Sequence, residues 1–178
     1  MKFKITGYAL KRIMKVAGSA VAKDNSRPIL AAINCKINDN KLTATGLDGY
    51  KMHQVTVPCK VVEGDASEAF NIRPLKEIQV GFLDYTVEVT DKKIAYSTPD
   101  MRIEVGLVEG NFVKTEDIYP KTPVVFSIGV APKLLMATLK AYSNEQSVRL
   151  DFYGDVKPFT LTTKDHDRGL VLPVRMKD

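Results

Sequence analysis

Three stretches of this chain repeat one pattern. "FKITGYALKRIMKV" begins at Phe3, "FNIRPLKEIQV" at Phe70 and "FSIGVAPKLLMATLKAY" at Phe126. Each opens with Phe-x-Ile and passes into apolar residues at helical spacing, with Leu and Lys. A repeat of this size constrains the fold strongly, because each copy must be one supersecondary unit that buries its apolar face against a neighbour. Three units are predicted, over residues 1–66, 67–120 and 121–178. Each consists of a short strand, a helix and then strands of period two. The first two form one domain (1–120), and the third is a half-domain (121–178).

Periodicity fills in each unit. In the first, a helix is predicted from Tyr8 to Ala22, with Leu10, Ile13, Met14, Ala17 and Val21 on one face and Lys11, Arg12 and Lys15 on the other. "KDNSRP" breaks it, with Pro28 marking an extended segment. Strands are expected at Ile29–Ile37, Lys41–Thr45 and Lys51–Val57, and "NDNK" is a tight turn, since Asn and Asp tolerate left-handed backbone. In the second unit Pro74 suits the first position of a short helix to Val80, with Leu75 and Ile78 inward. Alternating strands follow at Tyr85–Thr90, Lys93–Thr98 and Met101–Glu109, with "TDKK" as a hairpin turn. In the third, Pro132 opens a helix with Leu134, Leu135 and Leu139 inward. Val148, Leu150 and Phe152 then alternate in one strand and Phe159 and Leu161 in the next, and "RGLVLPVRM" closes the chain as an apolar run.

Several chemistries lack their residues. There is no Gly-rich phosphate loop and no dinucleotide fingerprint. His53 and His166 lack metal-ligand spacing, and "KDHD" (Lys164 to Asp167) reads as a solvated turn. Ser26, Ser97 and Ser127 have no nucleophile-elbow context. The expectation is a protein that is not an enzyme and carries no cofactor or metal. Cys35 alternates with Ile33 and Ile37 as a small core residue, and a disulfide with Cys59 is not expected. No run of about 18 apolar residues exists and the opening segment has no apolar core of a signal peptide, so a cytoplasmic protein is expected. With 26 basic and 21 acidic residues the net charge is +5, which favours a polyanionic partner only if the charge is grouped.

Four stretches, taken in order, resemble the DNA sliding clamps, specifically the bacterial DNA polymerase III beta subunit. They are "SRPILAAINCKINDNKLTATGLDGYKM", "LVEGNFVKTEDIYPKTP", "FSIGVAPKLLMATLKAYSNEQSVRLDF" and "LVLPVRM". The resemblance implies an α+β clamp fold of repeated β-α-β-β-β units, with antiparallel sheets outside and helices on one face. It matches best a middle domain followed by the last half-domain. A full chain of that family has six such units and two chains close a ring; three units are seen here, and four copies would supply twelve. Two motifs depart from the family pattern: its "FPdY" is Phe112 to Thr115 here, and its "TDGHR" loop is Leu47 to Lys51.

The resemblance also implies sites. Clamp helices face duplex DNA through phosphate-directed contacts without base readout. The matching outward residues are Lys11, Arg12 and Lys15, then Arg73 and Lys76, then Lys133 and Lys140; pattern alone favours an ordinary solvated helix face, and the resemblance raises DNA contact to an equal reading. The family's peptide pocket, which receives short linear motifs of polymerases and other partners, maps to Leu47, Gly49, Met52, Pro120, Leu172, Pro173, Val174, Arg175 and Met176. Leu172, Val174 and Met176 read equally well as a last core strand. The implied function is an oligomeric DNA-binding processivity factor that tethers replication or repair proteins. The alternative is an interaction module that presents the pocket, or binds a true clamp, without encircling DNA.

Overall fold

The computed structural model describes residues 1–24, 26–64, 69–75 and 84–176. The chain divides into two compact units, Met1–Lys114 and Thr115–Asp178.

The first unit opens with β1 (Lys2–Thr6), which runs directly into α1 (Gly7–Val16). Thr6 is the N-cap: its hydroxyl accepts a hydrogen bond from the Ala9 amide at 3.2 Å, satisfying one of the first-turn donors. The helix is shorter than the predicted Tyr8–Ala22. It tightens into a 3₁₀ turn at Ala17–Ala20 and then extends at Val21. Leu10, Ile13 and Ala17 are buried, as their spacing requires, and Met14 and Val21 pack on the same core from its margin. Pro28 also departs from expectation. Arg27 before it is extended, but Pro28 begins a second 3₁₀ turn (Pro28–Ala31), because a proline is compatible with a first helical position.

Strands β2 (Ile33–Asn38), β3 (Lys41–Leu47), β4 (Met52–Pro58) and β5 (Lys60–Glu63) follow. The predicted strand from Ile29 thus starts four residues later, and β5 was not anticipated. The β2–β3 turn holds Asp39 and Asn40 at positive φ, the conformation their side chains tolerate. Next come β6 (Phe70–Ile72), β7 (Asp84–Val89), β8 (Lys93–Ser97) and β9 (Arg102–Gly106). Pro74 and Leu75 are not helical; the rest of the predicted helix to Val80, with Lys76 and Ile78, lies outside the described residues.

All strand pairs are antiparallel, in one sheet of order β5-β1-β7-β8-β9 and another of order β4-β3-β2-β6. This order exchanges the opening strands of the two repeats. The first repeat's β1 lies beside the second repeat's β7, with Phe3 opposite Val87. The second repeat's β6 lies beside the first repeat's β2, with Phe70 opposite Cys35. The two opening phenylalanines then meet inside, with ring centroids 6.4 Å apart. Neither repeat closes its core alone, and the exchange gives one continuous core from Phe3 through Ile33 and Val57 to Tyr96. Burying side chains of this kind contributes about 1.5–3 kcal/mol each.

The second unit holds α2 (Pro132–Ala141) and a sheet of β10 (Arg149–Asp151), β11 (Phe159–Thr162) and β12 (Arg168–Val171), in that order. Its fully buried apolar residues are Phe159, Leu161 and Val171. Leu135 packs on them, but Leu134 and Leu139, predicted inward, are exposed: one helix face cannot bury three leucines on a sheet of three short strands. Leu150 and Phe152 are exposed too, and β10 is shorter than the alternation suggested. The closing run forms a strand only to Val171, leaving Leu172, Val174 and Met176 exposed rather than in a core strand.

Candidate nucleic-acid interface

The outer face of α1 is a single charged surface. At 100° per residue, Tyr8, Lys11, Arg12 and Lys15 fall within about 100° of arc, opposite the buried Ala9, Leu10 and Ile13. All four are exposed, and they line a shallow depression of about 430 Å³ together with Val16. Lys15 lies in the last helical turn, where the helix dipole favours a cation. Among the described residues no ion pair engages Lys11, Arg12 or Lys15. Three unneutralised cations with free side chains on one rigid helix make a surface for phosphate oxygens. Tyr8, 70% exposed, is the member that pattern reading missed. Its position three, four and seven residues before the cations was the available signal.

The other predicted contacts are more scattered. Arg73 is exposed just after β6, and Lys76 lies outside the described residues. In the second unit Lys133 and Lys140, seven apart, share the outer face of α2 with the exposed Met136.

The residues matched to the peptide pocket divide between the two units. Leu47 is buried at the end of β3, directly opposite Met52 at the start of β4. The loop joining them is built on Asp48, whose carboxylate accepts hydrogen bonds from the amides of Tyr50 (2.9 Å) and Lys51 (3.0 Å) and pairs with the Lys51 ammonium. Lys51 first, then these amides, hold the Asp48 carboxyl well below the ordinary carboxylate range. Gly49 takes a φ of +94° and presents the fully exposed Tyr50. In the second unit Pro120, Leu172, Val174, Arg175 and Met176 are exposed and Pro173 is half-buried. The Val174 amide donates to the Gly129 carbonyl at 2.9 Å, which fixes this segment along the start of the repeat.

Cys35 is buried in the core, and burial raises its thiol pKa far above the ordinary value, so it is no nucleophile. His53 Nδ1 lies 2.9 Å from the Ser19 hydroxyl and 3.3 Å from the Val16 carbonyl, tying β4 to the end of α1. Among the described residues no group of His, Cys, Asp and Glu could hold a metal ion, and no helix is long and apolar enough to cross a membrane.

Comparison with known proteins accounts for this architecture. The chain is 26% identical over 145 residues to the beta sliding clamp of Halalkalibacterium halodurans, matching 78% of this chain and 38% of that protein. It is 23% identical over 235 residues to the beta sliding clamp of Staphylococcus epidermidis, matching 93% of this chain and 62% of that protein. That second match is longer than the 178 residues of this chain, so inside it the relative carries residues for which this chain has no counterpart. The chain therefore matches less than two thirds of the length of these curated relatives. The fold is shared with the DNA polymerase III subunit beta of Pseudomonas aeruginosa, with a TM-score of 0.79 at 15% identity over 97% of this chain and 51% of that one. Residues 4–114, nearly the whole first unit, match the family model for the central domain of the DNA polymerase III beta subunit. By this match the chain belongs to the DNA polymerase III beta subunit family.

Proposed function

We propose that this chain is a sliding-clamp-type processivity factor that holds replication or repair proteins on duplex DNA. The observation that carries the reading is the unneutralised cationic face of α1, Lys11, Arg12 and Lys15, on a fold shared with beta sliding clamps. Lys133 and Lys140 on α2 and Arg73 after β6 would add cations of the same kind. The mechanism is electrostatic tethering, with no bond made or broken. Contacts of lysine and arginine to phosphates release counterions, so affinity falls steeply with salt and ignores sequence. Partner attachment is assigned to Leu47, Gly49 and Met52 in the first unit and to Pro120 and Leu172–Met176 in the second. These apolar groups, with methionine's adaptable side chain, suit aliphatic peptide anchors. The protein acts in the cytoplasm and as an oligomer.

The test is anisotropy of labelled duplexes of unrelated sequence, titrated at several salt concentrations. Equal affinity for all sequences, lost as salt rises, is expected; binding that is indifferent to salt sinks the proposal. Charge reversal at Lys11, Lys15, Lys133 and Lys140 then separates the tethering role from an interaction module. The first loses DNA binding on reversal, whereas the second never had it and keeps its peptide partners.

A further inference from the structure

In the first unit only four large apolar side chains are exposed among the described residues: Tyr8, Tyr50, Val62 and Val113. Tyr8 alone of these lies on a helix. It stands on α1 three, four and seven residues before Lys11, Arg12 and Lys15, so the four share one face. A solvated helix face gains nothing from a phenol ring, since lysine or glutamine has better helix propensity. Among the described residues the Tyr8 ring meets no other aromatic ring and its hydroxyl has no hydrogen-bond partner. The core beneath is made by Ala9, Leu10 and Ile13 instead.

Ring and cations suit different parts of one molecule. At 1.5 Å rise per residue, the Cα atoms of Lys11, Arg12 and Lys15 lie about 4.5, 6 and 10.5 Å along the helix from that of Tyr8. These residues line the depression of about 430 Å³ on this face, so a flat ring laid on Tyr8 has long cationic side chains beside it. A single-strand site has these two components: cations hold the phosphates, and an aromatic ring stacks a base whatever its identity, because every base has a π face. A duplex offers phosphates but no base faces, since each face is covered by the next pair. Duplex DNA thus engages the lysines and the arginine and leaves Tyr8 unused.

We infer that α1 is also a single-strand platform, on which one unpaired base of DNA stacks on Tyr8 while adjoining phosphates lie on Lys11, Arg12 and Lys15. Tyr8 is then the residue that favours an unpaired stretch, such as a gap or a single-stranded end, over continuous duplex. The inference rests on the proposed DNA-tethering role and adds the class of DNA that this face prefers. An acidic peptide satisfies the same cations but gives Tyr8 no flat partner of its own.

The test is anisotropy of a labelled oligothymidine and of a labelled duplex, titrated with the 178-residue chain and its variants at several salt concentrations. Tyr8→Ala weakens single-strand binding by about 5- to 150-fold, the range for one lost stacked base, and leaves duplex affinity within about twofold. Its salt slope stays that of the parent, because no phosphate contact is lost, whereas Lys11→Gln lowers the single-strand slope by about 0.7. Tyr8→Phe retains single-strand affinity. Tyr8→Trp retains it too and gives the chain its only tryptophan, whose emission falls as the base stacks. Because Tyr8 is 70% exposed, Tyr8→Ala keeps the circular dichroism of the parent. Unchanged single-strand affinity in Tyr8→Ala overturns the inference. So does an equal loss on single strand and duplex, or a Tyr8→Trp emission indifferent to oligothymidine. In each of these cases salt-sensitive duplex binding by the parent leaves the tethering role standing. A parent that binds neither DNA removes that role and this inference with it.

Discussion

Gly46→Ala tests how α1 is seated on the sheet that orients its cations. Gly46 lies in β3 beneath the 3₁₀ turn that ends the helix. A Cβ there would stand 1.9 Å from the Ala17 carbonyl oxygen, 2.8 Å from its carbon and 3.2 Å from Val21 Cγ1. The obstacle is backbone, so no rotamer change relieves it. Restoring an ordinary contact requires β3 and the turn to separate by about 1.5 Å, and a gap of even 0.5–1 Å already forfeits a quarter to a half of each dispersion contact it opens. The contacts concerned belong to the 3₁₀ turn, whose Ala17 and Ala20 are buried. Overpacking of this kind costs about 1–3 kcal/mol, and the upper end applies where backbone must move. Replacing a glycine inside a strand returns about 0.5–1 kcal/mol. The net expectation is a loss of about 2 kcal/mol, or a fall of roughly 8 °C in the Tm of the first unit.

The assay is urea unfolding followed by near-ultraviolet circular dichroism, with Gly49→Ala alongside. Gly49 has open space around it but a φ of +94°, so alanine there meets only backbone strain and costs about 1 kcal/mol. Stability of Gly46→Ala within about 0.5 kcal/mol of the parent would show that helix and sheet separate without penalty. The argument that close packing fixes the orientation of the basic face would then be wrong.

Neutralising α1 with Lys11→Gln, Arg12→Gln and Lys15→Gln lowers the slope of log affinity against log salt by about 2.7 per bound chain, at about 0.9 per phosphate contact. An unchanged slope in the duplex titration removes α1 from the interface. Tyr96 carries a buried hydroxyl with no hydrogen-bond partner among the described residues, and burial pushes its phenol well above the ordinary value. Tyr96→Phe is therefore neutral or stabilising by up to about 1 kcal/mol in urea unfolding, and a clear loss of stability would mean that the hydroxyl is satisfied. Glu88 pairs with Lys2 (2.8 Å) and Arg102 (3.1 Å), and these two, Lys2 first, lower its pKa. A depressed carboxylate stabilises above its unfolded pKa, and that contribution is lost as pH falls through its folded value. Glu88→Gln accordingly weakens the fold near neutrality, and the difference disappears in acid; a difference that persists at low pH refutes the assignment.

Local rules made much of the fold legible. Helical spacing found α1 through Leu10, Ile13 and Ala17, because a helix seated on a sheet must present one apolar stripe. Period two found β3, β4, β7 and β8, and Asp39 and Asn40 marked the β2–β3 turn through backbone tolerance. The cations of α1 were visible for the same reason, since a face that cannot be buried must be polar. The same rules misplaced Leu134 and Leu139, which spacing assigns to an inward face and the short three-stranded sheet leaves exposed.

The sequence by itself determined the repeat, the helices α1 and α2, most strands of the first unit and the charged side of α1, all properties of neighbours three, four or two residues apart. Tertiary structure alone decided that the opening strands of repeats one and two change places, that Phe3 and Phe70 meet, and that Gly46 lies beneath the Ala17 carbonyl. These are relations between residues tens of positions apart, set by which surfaces close one core together, and no local period encodes them.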